Sequence, residues 1–126
     1  MNAALRAQQR YREEAILSAS PQRLLAMLYD RLLLDVERGE AAQLRGDWQT
    51  ANTELQHAQQ IVVELSASLT DAWEGSASLR ALYAYLTRTL LAANIRRDPE
   101  LARECRELIV PLRDAWHTAA ETASGA

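Results

Sequence analysis

Trp48, Ala51, Leu55, Ala58, Val62, Leu65 and Leu69 recur at alternating steps of three and four. That spacing lines all seven along one side of an α-helix and would scatter them over both faces of a strand. A seam this long can be buried only against other helices. Three further segments share its period, and no stretch alternates in the manner of a strand. Ser20-Pro21 opens the first: the Ser20 hydroxyl can accept from a free N–H of the first turn, and Pro21 stands where a missing N–H costs nothing. This helix extends to Arg45, where Gly46 stops it, and Asp47 reads as the N-cap of the seam helix. A softer region, Thr70 to Ser78 with Gly75, separates the seam from a third helix carrying Leu79, Leu82, Leu86 and Ala93 inward, flanked by Tyr83 and Leu90. Asp98-Pro99 repeats the capping device. The fourth helix then places Leu101, Cys105, Leu108, Leu112, Ala115 and Ala119 on one side, with Ile109 and Trp116 widening it.

Connections this short favour antiparallel neighbours, so the expected fold is all-α, an antiparallel up-down-up-down four-helix bundle. It forms one domain over 1–126, with a flexible leader at 1–19, the bundle at 20–121 and a disordered tail at 122–126. Pro111 lies inside the fourth helix, where it removes the bond to the carbonyl of Glu107 at a cost of about 3 kcal/mol, and a kink is expected there.

Composition removes several classes of function. The net charge is −3, which argues against a nucleic-acid footprint, and all 14 basic residues are arginine, so lysine chemistry is absent. Cys105 is the single cysteine; it can form no internal disulfide, and on the inward seam it is a small core residue. Met1 to Glu14 has no apolar run of the secretory type, and no stretch is long enough to span a membrane, so a cytosolic chain is expected.

A di-iron bundle would need Glu-x-x-His on two helices and a carboxylate on each of the others. Glu54 to His57 and Asp114 to His117 imitate the spacing, but with Leu55 and Ala58 inward, His57 points away. Asp114 and His117 lie outside the fourth seam, and Leu79 to Arg97 holds no acidic residue at all. No metal or other cofactor is expected, both histidines read as solvated surface, and no nucleophile stands beside a base. The chain does not read as an enzyme.

An apolar surplus is left outside the core. Leu24, Met27 and Leu34 point away from the face formed by Leu25, Leu28, Leu32 and Val36 with Tyr29 beside it. Ile61 and Val63 on the second helix, and Ala84, Leu91 and Ile95 on the third with Tyr85 at the flank, also read as outward. Together they suggest a groove that accepts an amphipathic helix. Two uses of such faces differ in kind: a binding module for one client's helix, or a general helical adaptor or self-associating bundle that uses the same faces for another amphipathic helix or a homodimer.

The residues Ala19-Ser20-Pro21, Leu25, Met27-Leu28-Tyr29-Asp30, Gly46-Asp47, Ala51, Leu55, Ala58-Gln59, Ile61 and Glu64-Leu65 form one half of a family pattern. Leu79, Leu82-Tyr83, Tyr85-Leu86, Leu90, Ala93-Asn94-Ile95, Asp98 and Leu112-Arg113-Asp114-Ala115-Trp116 form the other. From Tyr11 to Trp116 the chain resembles the flagellar secretion chaperone family (FliS). Two positions depart from it: Arg31 stands where the family commonly has glycine, and Pro111 where its last helix usually continues without proline. The resemblance implies a cytosolic, cofactor-free chaperone, a monomer or weak homodimer, that neither binds nucleic acid nor inserts in a membrane. It implies binding to the C-terminal segment of flagellin, protection of that segment from premature polymerisation, and presentation to the flagellar type III export gate. The client folds into short helices as it binds. In the family the segment before the first helix can cover part of the groove, which gives Tyr11, Ile16 and Leu17 a docking role, with Leu5 also apolar. Partner-binding residues are thus expected at Tyr11, Ile16, Leu17, Leu24, Met27, Leu34, Ile61, Tyr85, Leu91 and Ile95, whereas Tyr29 and Asn94 can equally be internal.

Overall fold

The structure, a computed structural model, describes residues 2–18, 20–71 and 74–125, with side chains for 2–10, 20–71 and 74–123. The described residues form five helices and no strand: α1 (Ala3–Ser18), α2 (Pro21–Leu44), α3 (Trp48–Ala67), α4 (Ser76–Ile95) and α5 (Pro99–Gly125). Within the segment expected as a leader, Ala3–Ser18 is the helix α1, whose residues 3–10 are all exposed, and α5 extends to Gly125.

The helix ends follow local chemistry. Ser20 Oγ accepts from Arg23 N at 3.1 Å and Asp47 Oδ1 from Thr50 N at 3.1 Å. The helix α2 closes with the N–H of Gly46 on the Gln43 carbonyl and the N–H of Asp47 on the Ala42 carbonyl, which requires the positive φ of 76° that glycine adopts freely. The helix α4 closes in the same way, Arg97 on Asn94 and Asp98 on Ala93, but the residue held at positive φ (52°) is an arginine. Its guanidinium lies over the Trp48 ring, 5.1 Å from the centroid, a cation–π contact that offsets part of the backbone strain.

In the bundle α2 packs on α3 and α5, and α4 packs on α3 and α5, so α2 and α4 face each other across the centre. The core joins Tyr29, Leu32, Val36, Leu55, Val62 and Leu65 to Tyr83, Leu86, Leu90, Cys105 and Ile109, all essentially inaccessible. The seam of α3 is inward as spaced, from Ala51 to Leu65. The line on α5 is displaced: Ala102, Cys105, Ile109 and Ala120 are buried, Leu101, Leu108 and Leu112 are half-buried, and Ala115 is exposed. The helix runs through Pro111, on an exposed side, without interruption.

Three acids on α2 spaced five apart are each paired to a neighbouring helix. Asp30 meets Arg113 (2.8 Å) and His117 (2.7 Å), and Glu40 takes a two-pronged contact from Arg106 (2.8 and 3.2 Å). Asp35, wholly buried, lies between Arg31 (3.0 Å) of its own helix and the ring of His57 on α3. The two histidines are therefore not plain solvated surface, as the sequence suggests; each is tied to an aspartate of α2. Arg31, the departure from glycine, supplies the charge that faces buried Asp35.

Candidate partner-binding surface

An i, i+3, i+10 series puts Leu24, Met27 and Leu34 on one strip of α2, and each is between 37% and 38% exposed. Arg31 sits within that strip, and its partner Asp35 reaches His57, so the strip borders α3. On α4, Ala84, Leu91 and Ile95 share another strip, with Leu91 48% and Ile95 72% exposed. Asn94, beside Ile95, donates Nδ2 to Asn52 Oδ1 on α3 at 2.8 Å, which places this second strip next to α3 on its other side. Val63 of α3 is exposed as well. The apolar surplus thus brackets α3 in two strips; it does not line one groove.

Not every expected residue belongs to it. Ile61 is only 5% exposed and packs in the core, so it offers nothing to a partner in this arrangement. Tyr85 is partly exposed but hydrogen-bonds the Glu104 carboxylate of α5, which sets it on the opposite flank of α4 from Leu91 and Ile95. That bond to a carboxylate pushes its phenol pKa up. The side chains of Tyr11, Ile16 and Leu17 lie outside the described residues.

Tyr29 proves internal, fully buried with its hydroxyl on Tyr83, while Asn94 is half-buried at the surface on Asn52. Spacing alone also overlooked Leu44, 71% exposed at the end of α2, and Val110 on α5.

The charges near these strips are pinned. Partial burial opposes ionisation of Asp30, but hydrogen bonds from His117 and Arg113 outweigh it and hold the carboxyl below its ordinary value. The Cys105 thiol is pushed up to about 12 by burial, with the Glu104 charge adding to it, so it is a poor nucleophile at neutral pH. Among the described residues no group of three or more His, Cys, Asp or Glu is placed to hold a metal, and no helix is long and apolar enough to cross a membrane. The surface offers apolar contact, side-chain amides and arginine, a chemistry of binding.

Residues 3–123 match the family model described as flagellar protein FliS. A flagellar secretion chaperone FliS of Bacillus subtilis (strain 168) is 33% identical over 112 residues, covering 89% of this chain and 84% of the relative. That of Escherichia coli (strain K12) is 33% identical over 107 residues, covering 82% of this chain and 79% of its own. A crystal structure of a bacterial flagellar chaperone superposes with a TM-score of 0.74 at 20% identity, covering 94% of this chain and 98% of that one, a likeness of fold. These relatives are named as chaperones and not as enzymes.

Proposed function

The chain belongs to the FliS family of flagellar proteins, and from that membership we propose a flagellar export chaperone that works in the cytosol. It binds the C-terminal segment of flagellin, keeps it from polymerising prematurely and aids its delivery to the type III export apparatus. The observation that carries this reading is the pair of apolar strips flanking α3, exposed although the core is already closed. A disordered segment that folds into short helices can lay their apolar sides on Leu24, Met27 and Leu34, and on Leu91 and Ile95. The scaffold is an antiparallel four-helix bundle of α2–α5, and α1, through Tyr11, Ile16 and Leu17, covers part of the surface until the client takes its place. Tyr85 contributes at the α5 flank.

Titration calorimetry with a flagellin C-terminal fragment tests this. Binding should show a negative heat-capacity change as apolar area is buried, with new helicity in the fragment by circular dichroism. Absence of heat at several temperatures together with absence of co-elution would remove flagellin as the client. A stable homodimer that buries both strips would instead point to a self-associating adaptor.

A further inference from the structure

Where α2 passes to α3 and α4 to α5, a cleft of about 380 Å³ opens between α3 and α4. Its wall is unusual for a surface bounded by apolar strips. Four residues with side-chain amides, Gln43, Gln49, Asn52 and Asn94, line it together with Ile95. Trp48 and Arg97, locked together by the cation–π contact, line it as well.

Three of these amides, those of Gln43, Asn52 and Asn94, are oriented by their own bonds. Gln43 donates Nε2 to the Ala93 carbonyl at 2.9 Å, and because a carbonyl only accepts, the Gln43 amide has one orientation. Its Oε1 is left without a partner in a residue only 3% exposed, the kind of buried acceptor that native proteins seldom leave unmet. Asn94 Nδ2 donates to Asn52 Oδ1, so this pair turns outward one donor, Asn52 Nδ2, and one acceptor, Asn94 Oδ1. A donor beside an acceptor is the complement of one residue of an extended chain, whose own N–H and C=O point to the same side.

We propose that this cleft binds an extended stretch of the client's backbone, its peptide groups on the Asn52–Asn94 pair and an aliphatic side chain against Ile95. In a helix those backbone groups are already paired within the segment, so an amide-lined cleft selects the part that is not helical. The two apolar strips take client helices, and the cleft takes the connection that leads from one side of α3 toward the other. This rests on the flagellin reading above.

The test uses the full chain and the flagellin C-terminal fragment. Asn52→Asp keeps an oxygen for Asn94 Nδ2 to donate to and keeps the shape, but replaces the outward donor with an acceptor. It should weaken the fragment at least about tenfold with thermal unfolding unchanged. Gln56→Glu adds the same charge one turn away on exposed α3 surface and should change affinity less than about twofold. Asn94→Ala, which removes the outward acceptor and the bridge, should also weaken binding and gives the answer should Asn52→Asp not fold. Wild-type affinity in Asn52→Asp and Asn94→Ala, or equal losses in Asn52→Asp and Gln56→Glu, would overturn the cleft while leaving flagellin as the client. A wild-type chain that fails to bind the fragment would overturn the flagellin reading and the cleft's occupant with it.

Discussion

The hydroxyls of Tyr29 and Tyr83 lie 2.6 Å apart in the middle of the bundle, each the other's hydrogen-bond partner, with both side chains essentially inaccessible. The Tyr29 ring also stacks on Trp116, centroids 6.5 Å apart and planes at 27°. This pair ties α2 to α4, the two helices that face each other across the centre, and the Gln43 bond to the Ala93 carbonyl ties them again near the Gly46 turn. Two polar links through an apolar core fix the axial register of helices whose side chains alone would tolerate sliding.

Either Tyr29→Phe or Tyr83→Phe strands the remaining hydroxyl in the core and should cost about 1 to 3 kcal/mol. The double substitution removes donor and acceptor together and should cost clearly less than the sum. Urea unfolding of the four proteins in a double-mutant cycle measures the coupling; additive effects would show that the two hydroxyls act independently.

The same burial sets an alkaline limit. Desolvation, with the bond to Tyr83 adding to it, pushes the Tyr29 phenol up; desolvation also pushes Tyr83 up, against the opposing effect of its bond to Tyr29. Since folded values exceed unfolded ones, the unfolded chain loses its protons first. The stabilisation is complete below the ordinary phenol value of about 10 and declines as pH rises above it. The Cys105 thiol, raised to about 12, acts with the same sign and starts from about pH 8.5, its ordinary value. Unfolding midpoints should therefore fall from about pH 9 upward, and the Tyr29→Phe/Tyr83→Phe protein should show a shallower fall. An identical slope would place the alkaline sensitivity elsewhere.

Gly39 is buried in the interior of α2, where alanine would normally favour the helix by about 1 kcal/mol. A Cβ at that position would stand 2.8 Å from Leu55 Cδ2 and 2.9 Å from Cγ, against a fully buried side chain with little room to retreat. Overpacking of this kind costs about 1 to 3 kcal/mol, so Gly39→Ala should lower stability despite its better propensity. A rise in the urea midpoint would mean that Leu55 rearranges freely and α2 and α3 are less closely packed than the structure has them.

The caps at Ser20 and Asp47, the stop at Gly46 and the α3 seam were legible because each depends on chemistry within a few residues. Ile61 was not, because α3 packs on both α2 and α4, and a helix with two neighbours buries a wider arc than the narrow stripe its spacing marks. On α5, leucine drew the inward line, yet close approach to α2 selects small Ala102, Cys105 and Ala120 at the centre and leaves the leucines on the shoulders. Asp35 carried a readable signal: it stands three residues after Leu32 and seven after Leu28, on the inward side. What it needed was its charge partners, and His57 is fixed only once α3 is in place. The division of the apolar surplus into two strips likewise follows from helix order around the bundle, which no single segment contains.

Core and proposed client surface separate most cleanly on α4. Leu86 is wholly buried, so Leu86→Ala should destabilise the protein by about 2 to 5 kcal/mol through lost burial and the cavity left behind. Ile95 is 72% exposed on the strip beside α3, and Ile95→Asp should change stability by well under that amount. In the complex the same aspartate would set an unpaired charge against the apolar side of the bound segment and weaken it by about 1 to 3 kcal/mol. Leu91→Asp, one turn earlier, should behave alike. Urea unfolding of the free chain beside calorimetric titration of the flagellin fragment reads both quantities. If Ile95→Asp unfolds the chain as badly as Leu86→Ala, the strip is structural. If Ile95→Asp and Leu91→Asp leave both stability and affinity untouched, this side of α3 is ordinary surface, and the proposed client surface narrows to the strip of Leu24, Met27 and Leu34.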